Sequence, residues 1–251
     1  MGRDRKKERS HEERPAISSA TPEGRRFLAD RIGVRPPLSD FINAFLLVYA
    51  ALFPIVNPIG GAPVFLSLTR AETGQRRTVL AGLVARNSFL LLLGSVLIGS
   101  HILVFFGISL PVLRIAGGLV VTAFGWNMLN APATTGPEET APAPRTDSFY
   151  PLTLPATVGP GSISVAITLG SQRPRVLDSA HALILGSGMV VGLLALAATI
   201  YLCFRFAERI VRLLGGSGTD VVIRLSAFIL LCIGIQIIWG GVSALLGLPQ
   251  A

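Results

Sequence analysis

"LFPIVNPIGGAPVFL" (residues 52–66) decides how this chain folds. Apart from Asn57, every residue in it is apolar, Pro or Gly. The oiliness is that of a bilayer span. Yet Pro54, Pro58 and Pro63 each remove a backbone donor and crowd the preceding turn, Gly60 and Gly61 loosen it, and Asn57 adds an amide. An unpaired backbone amide in hydrocarbon costs several kcal/mol. Irregular backbone therefore survives at membrane depth only against protein or a watery cavity. The stretch predicts a membrane helix that is broken on purpose.

The rest of the chain agrees. Of 251 residues, 51% are hydrophobic and 14% charged, about half the charge of a soluble domain. Mean hydropathy is +0.62. Residues 1–38 are polar and of mixed charge and read as a disordered tail. The first apolar run begins near Phe41 and leads into further spans, so no secretory signal peptide is expected. Six apolar segments follow, near 41–69, 79–107, 110–130, 150–171, 179–204 and 220–246. Each is long enough for the roughly 30 Å of hydrocarbon that about 20 helical residues cross. The Pro-rich stretch 131–148 divides them into units 39–130 and 149–248. The pI near 10.7 comes with no nucleic-acid-binding signature, and no nucleic-acid partner is expected. Cys203 and Cys232 are read as buried small hydrophobes.

The two units resemble each other. "LRIAGGLVVTAFGWNML" (113–129) answers to "IRLSAFILLCIGIQIIW" (223–239), with Arg114 against Arg224. The first broken span answers to "LPATVGPGSIS" (154–164), where Pro155, Gly159, Pro160 and Gly161 stand. Three spans is an odd number, so the second copy must cross in the opposite sense. The expected fold is an all-α membrane protein: six transmembrane helices as two inverted three-helix repeats, the first and fourth helices broken. Matched breaks in inverted repeats point to a transport site. The candidate substrate-binding residues are Asn57, Pro58, Gly60, Thr157, Gly159, Pro160, Gly161, Ser162 and Ser164, with Arg114 and Arg224 as a matched pair that could clamp an anion or a backbone carbonyl.

"FPIVNPIGGAPVFLSLT" (53–69), "LRIAGG" (113–118) and "LPATVGPGSIS" (154–164) together resemble the MarC family of bacterial multi-pass membrane proteins. The likeness runs from about Ser39 to Gly247. It implies six spans in a bacterial plasma membrane and a distant kinship to amino-acid exporters of the LysE type. It implies no substrate. The family's marks fall on Asn57, Pro58, Gly60, Pro63, Arg114, Gly117, Gly118, Gly159, Pro160 and Gly161.

No Asp or Glu lies inside an apolar run, which disfavours a carboxylate proton relay and favours a neutral or anionic solute. Arg86, Arg114 and Arg224 near span starts also fit snorkelling to the headgroups. His101 and His181 read as interhelical hydrogen-bonding groups, and Asn127 and Gln236 could bond across helices. Gly188-x-x-x-Gly192 and Ser95-x-x-x-Gly99 read as close helix packing. Gly215-Gly216-Ser217-Gly218 fits a serine-protease string, but it sits in a polar loop with no His after it, so no enzyme is expected. Neither a cofactor nor a metal is expected. The functional expectation is a secondary transporter or exporter; the alternative is a membrane scaffold whose basic tail binds a partner or lipid. The expected partners are membrane lipids and a small-molecule or ion substrate, with a homo-oligomer left open. With the N-terminus inside, six near-membrane Arg face the cytoplasm (25, 26, 31, 35, 173 and 175). With it outside, seven do (70, 76, 77, 145, 205, 209 and 212); the denser short loops favour the outside and the ten basic residues of the tail the inside, which leaves the orientation open.

Overall fold

The computed structural model describes residues 37–130, 147–171 and 179–248. The tail before residue 37, the linker residues 131–146 and Arg173 and Arg175 lie outside the described residues, as does the side chain of His181. Seven helices make up the described chain: α1 (Pro37–Val56), α2 (Pro58–Leu68), α3 (Gly74–Phe105), α4 (Leu110–Asn130), α5 (Pro160–Ser171), α6 (Ser179–Arg205) and α7 (Ala207–Leu246). Five of them, α1, α3, α4, α6 and α7, are long and apolar enough to cross a membrane. Their outward faces carry large apolar side chains such as Leu46, Leu90, Ile98, Leu119, Phe228 and Ile235. Such a surface suits lipid.

The sequence predicts a fourth span over 150–171, broken near Gly159 and Pro160. Only its second half, α5, is helical. Residues 147–159 form successive turns in which side-chain hydroxyls do part of the work of a helix ladder. Thr153 Oγ1 donates to Ser148 O at 2.7 Å, and Thr157 Oγ1 donates to Leu152 O at 2.7 Å. Pro151, Pro155 and Pro160 cannot donate, so the segment has too few N–H groups for a helix. Its side chains are nevertheless core: Leu152, Thr153, Thr157 and Val158 are all buried.

The first break is much shorter. Only Asn57 leaves helical geometry, at φ 47 and ψ 61. The ring of Pro58 disfavours right-handed helix at the preceding residue. Asn is one of the few residues that tolerate the left-handed alternative. Pro54 and Pro63 sit inside α1 and α2. They do not add further breaks.

Packing is built on close approaches at small residues. α4 and α7 run antiparallel: Gly118 meets Gly234 and Ile238, Gly125 meets Ala227 and Leu231, and Gly241 meets Pro111 and Ile115. A Cβ on Gly125 would lie 2.8 Å from Leu231 N and 2.9 Å from Ala227 O, so the two backbones nearly touch. α1 packs along α6, with Gly188 against Phe41 O and Gly192 against Phe45 O, which bears out the close-packing reading of that glycine pair. α3 packs on α5 and α6, α4 also on α5, and α2 lies against α6 and α7. The core inside this frame is aliphatic: Val48, Leu52, Leu80, Val84, Leu92, Leu193, Leu196 and Ile200 are fully buried.

Several smaller expectations are corrected. Gly215–Gly218 is part of α7, which kinks at Gly215 (φ 67), and is not a loop. Cys203 is half-buried, but Cys232 is exposed on the outer face of α7. Asn127 and Gln236 are exposed, and neither makes a cross-helix hydrogen bond among the described residues. His101 is also exposed on α3.

Candidate functional site

Both breaks line one cavity of about 100 Å³. α1 and α2 contribute Ile55, Val56, Asn57, Gly60, Gly61 and Val64. The turn segment before α5 contributes Pro155, Ala156, Thr157, Gly159 and Pro160. The third wall comes from α4, through Val120, Val121, Phe124 and Met128, with Leu230 of α7 behind it.

Asn57 is the pivot of the first break. Its Oδ1 accepts from Gly60 N at 3.1 Å, and its carbonyl accepts from Gly61 N at 2.8 Å. Helix starts leave four N–H groups without partners. At α2, Pro58 has none to offer and Asn57 Oδ1 takes that of Gly60, while Gly61 N makes the first ladder bond to the Asn57 carbonyl. A Cβ on Gly60 would run into the Asn57 amide, so only glycine lets that cap close. The amide nitrogen Nδ2 makes no hydrogen bond among the described residues, and Asn57 itself is half-buried. In the second break the position before the proline is Gly159, and the polar side chain comes from Thr157. Its hydroxyl hydrogen goes to Leu152 O, and its oxygen keeps accepting capacity.

Of the residues proposed from sequence, Asn57, Gly60, Thr157, Gly159 and Pro160 meet at the cavity. Pro58 is buried beside it. Gly161, Ser162 and Ser164 are buried on α5 but do not line it. Ser162 Oγ donates to Gly159 O at 2.9 Å and Ser164 Oγ to Gly161 O at 3.1 Å, so both hydroxyls serve their own helix. A Cβ on Gly161 would strike Val121 and lie 3.3 Å from Gly117 O. Gly117 faces Ser164 of α5, and its neighbour Gly118 faces α7. That glycine pair lets α4 be gripped from two sides.

Arg114 and Arg224 are not brought together. Arg114 is half-buried near the start of α4; Arg224 is exposed on α7, near the other end of the antiparallel pair. The register set by Gly125 and Gly241 separates them by roughly 24 Å along the helix axes. Neither lines the cavity. The two therefore cannot clamp one anion there.

Sequence reading passed over the α4 wall. Val120, Phe124 and Met128 recur at helical spacing, but in a span that is apolar all round such a stripe carries no signal. It also passed over Arg77. That guanidinium, on the first turn of α3 and 14% exposed, reaches the end of α2 and holds four partners. It donates to Thr69 Oγ1 and Thr69 O at 3.1 Å each and to Glu72 O at 3.2 Å, and it pairs with Glu208 of α7. It is the one ion pair among the described residues. Nearby, Phe65 of α2 stacks on Phe204 of α6 with ring centroids 4.5 Å apart. The far end of α2 is thus fastened to the α6–α7 elbow, while its near end turns at Asn57.

Residues 42–246 match the family described as MarC family integral membrane protein. The UPF0056 inner membrane protein MarC of Salmonella typhimurium is 31% identical over 214 residues, covering 82% of this chain and 96% of that one. The protein of the same name from Citrobacter koseri is 30% identical with the same coverage. A UPF0056 membrane protein from Buchnera aphidicola is 28% identical over 207 residues, covering 82% of this chain and 94% of its own. No solved structure matches the chain.

Proposed function

The chain belongs to the MarC family of integral membrane proteins, and from that premise we propose that it is a secondary transporter or exporter of a small neutral or anionic solute. It is a multi-pass protein of the bacterial plasma membrane, as the names of its relatives and its apolar helices indicate. The observation that carries the transport reading is the convergence of two broken helices, one from each half, on a single cavity. Broken helices whose freed backbone lines a cavity are where transporters hold their cargo. On this reading the chain carries no chemical step.

The finer architecture is two inverted repeats making six crossings, with 147–159 and α5 together as the fourth. The packing pattern supports it. Exchanging α1–α4 for the second half maps the α4–α7 contact and the α3–α6 contact onto themselves. The α2–α6 contact answers to α5–α3, and α4–α5 answers to α7–α2. The antiparallel course of α4 and α7 also fits, since equivalent helices of inverted repeats run oppositely.

The test is reconstitution into liposomes, with uptake and efflux measured against a panel of small neutral and anionic solutes. The expected result is a saturable flux of at least one solute that Val64→Phe abolishes by filling the cavity. Fluxes no greater than those of empty liposomes across the panel overturn the proposal. For the crossings, single cysteines at Thr73 and Phe206 should label from one side of the membrane, and at Gly107 and Gly247 from the other. Any other division rules out six crossings.

A further inference from the structure

We infer that the cavity between the two breaks takes a small uncharged molecule whose polar group both donates and accepts a hydrogen bond, an amide or an alcohol on a short apolar body. The inference rests on reading this cavity as the transport site, and it narrows the solute from neutral or anionic to neutral.

Charge is the first discriminator. No Lys, Arg, His, Asp or Glu lines the cavity. An ion stripped of water without a counter-charge costs several kcal/mol. Half-helix ends could have supplied part of that charge, as α2 starts here. At α2 Pro58 has no N–H, and the Gly60 and Gly61 amides are both taken by Asn57; the amides left over, on Ile59 and at the start of α5 on Gly161 and Ser162, belong to residues that do not line the cavity. The Asn57 oxygen stands where an anion would have to bind.

The polar inventory is the second. Asn57 commits Oδ1 to its cap and keeps Nδ2 as a donor. Thr157 commits its proton to Leu152 O and keeps its oxygen as an acceptor. One half of the protein offers a donor, the other an acceptor. An amide or a hydroxyl group satisfies both. A carboxylate can only accept and an ammonium can only donate, so each leaves one protein group unpaired as well as its own charge. The remaining wall is apolar, from Val64, Val121, Phe124 and Leu230. An apolar cavity of about 150 Å³ takes benzene. A cavity of about 100 Å³ suits a body of about four carbon atoms.

Four probes that share an isopropyl group separate the alternatives: isobutyramide, isobutyrate, isobutylammonium and valine. Saturation-transfer NMR on the full chain in lipid nanodiscs, with empty nanodiscs subtracted, reads weak binding of each at neutral pH. Isobutyramide should give a methyl signal about tenfold above the other three. Val64→Phe should remove that signal. Phe124→Trp, which fills the cavity from the opposite wall, serves where Val64→Phe fails to fold. A signal from isobutyrate, isobutylammonium or valine that equals the amide's and vanishes on filling overturns the uncharged class while leaving transport standing. No cavity-dependent signal from any of the four also overturns the inference, and the liposome fluxes then judge the transport reading on their own.

Discussion

Asn57 does two things at once, and substitutions can separate them. Asn57→Leu removes the acceptor for Gly60 N, a cap of about 1 kcal/mol. It also places a branched side chain at φ 47, where a residue other than Gly or Asn costs about 1–2 kcal/mol. Together these come to about 2–3 kcal/mol. For a chain of this size that lowers the unfolding midpoint by about 4–12 °C. Asn57→Gly behaves differently. Glycine takes the left-handed conformation freely and, as a cap, costs only a few tenths of a kcal/mol. Both variants lose Nδ2. Thermal unfolding in detergent, followed by intrinsic tryptophan fluorescence, should therefore rank wild type and Asn57→Gly close together and Asn57→Leu well below. Liposome flux per folded protein should be lost in both. A fully active Asn57→Gly would refute the part given to the amide in holding solute. An Asn57→Leu as stable as wild type would refute the cap and strain account.

Gly125→Ala forces a methyl to within 2.8–2.9 Å of the α7 backbone, and overpacking of that kind costs about 1–3 kcal/mol, read as a lower unfolding midpoint. Gly94→Ala, with nothing near the added methyl, is the control and should be neutral. Thr153→Val keeps the shape of a fully buried side chain but leaves Ser148 O without its hydroxyl partner. Ser148 O keeps the Thr153 N–H, so the loss should be that of one hydrogen bond, about 1 kcal/mol by the same assay. Glu208→Gln, at a half-exposed carboxylate, should change stability by less than about 1 kcal/mol. Arg77→Met, which strips the α2 end of every bond to that guanidinium, should cost clearly more. Equal effects of the two would mean that the ion pair, and not the carbonyl contacts, fastens α2.

How much of this was legible in the sequence depended on the kind of signal. Hydropathy located the spans, because 20 apolar residues in a row have few soluble explanations. The NP and GP pairs located both breaks, because proline constrains its predecessor wherever it stands. Proline did not say how large each break would be. Pro54 and Pro63 stay helical, while 150–159 loses its helix altogether, since the outcome depends on whether hydroxyls such as those of Thr153 and Thr157 can serve the freed carbonyls. The α4 wall was invisible, because in a helix that is apolar on every face the side turned to a cavity looks like the side turned to lipid. The matched Arg114 and Arg224 misled for the opposite reason. In an antiparallel pair, equivalent positions near the ends of two helices lie far apart.

The glycine contacts between α4 and α7 have a mechanical meaning. At Gly118, Gly125, Gly234 and Gly241 the partner's backbone comes within 3.0 Å of where a Cβ would stand, so neither helix can slide a turn along the other without lifting off it. The pair acts as a stator. α4 carries one wall of the cavity, so that wall is fixed too. α5 is gripped to α4 in the same way at Gly117 and Gly161, so on the transport reading the piece left to move is α2, 11 residues long between Asn57 and the Arg77 fastening.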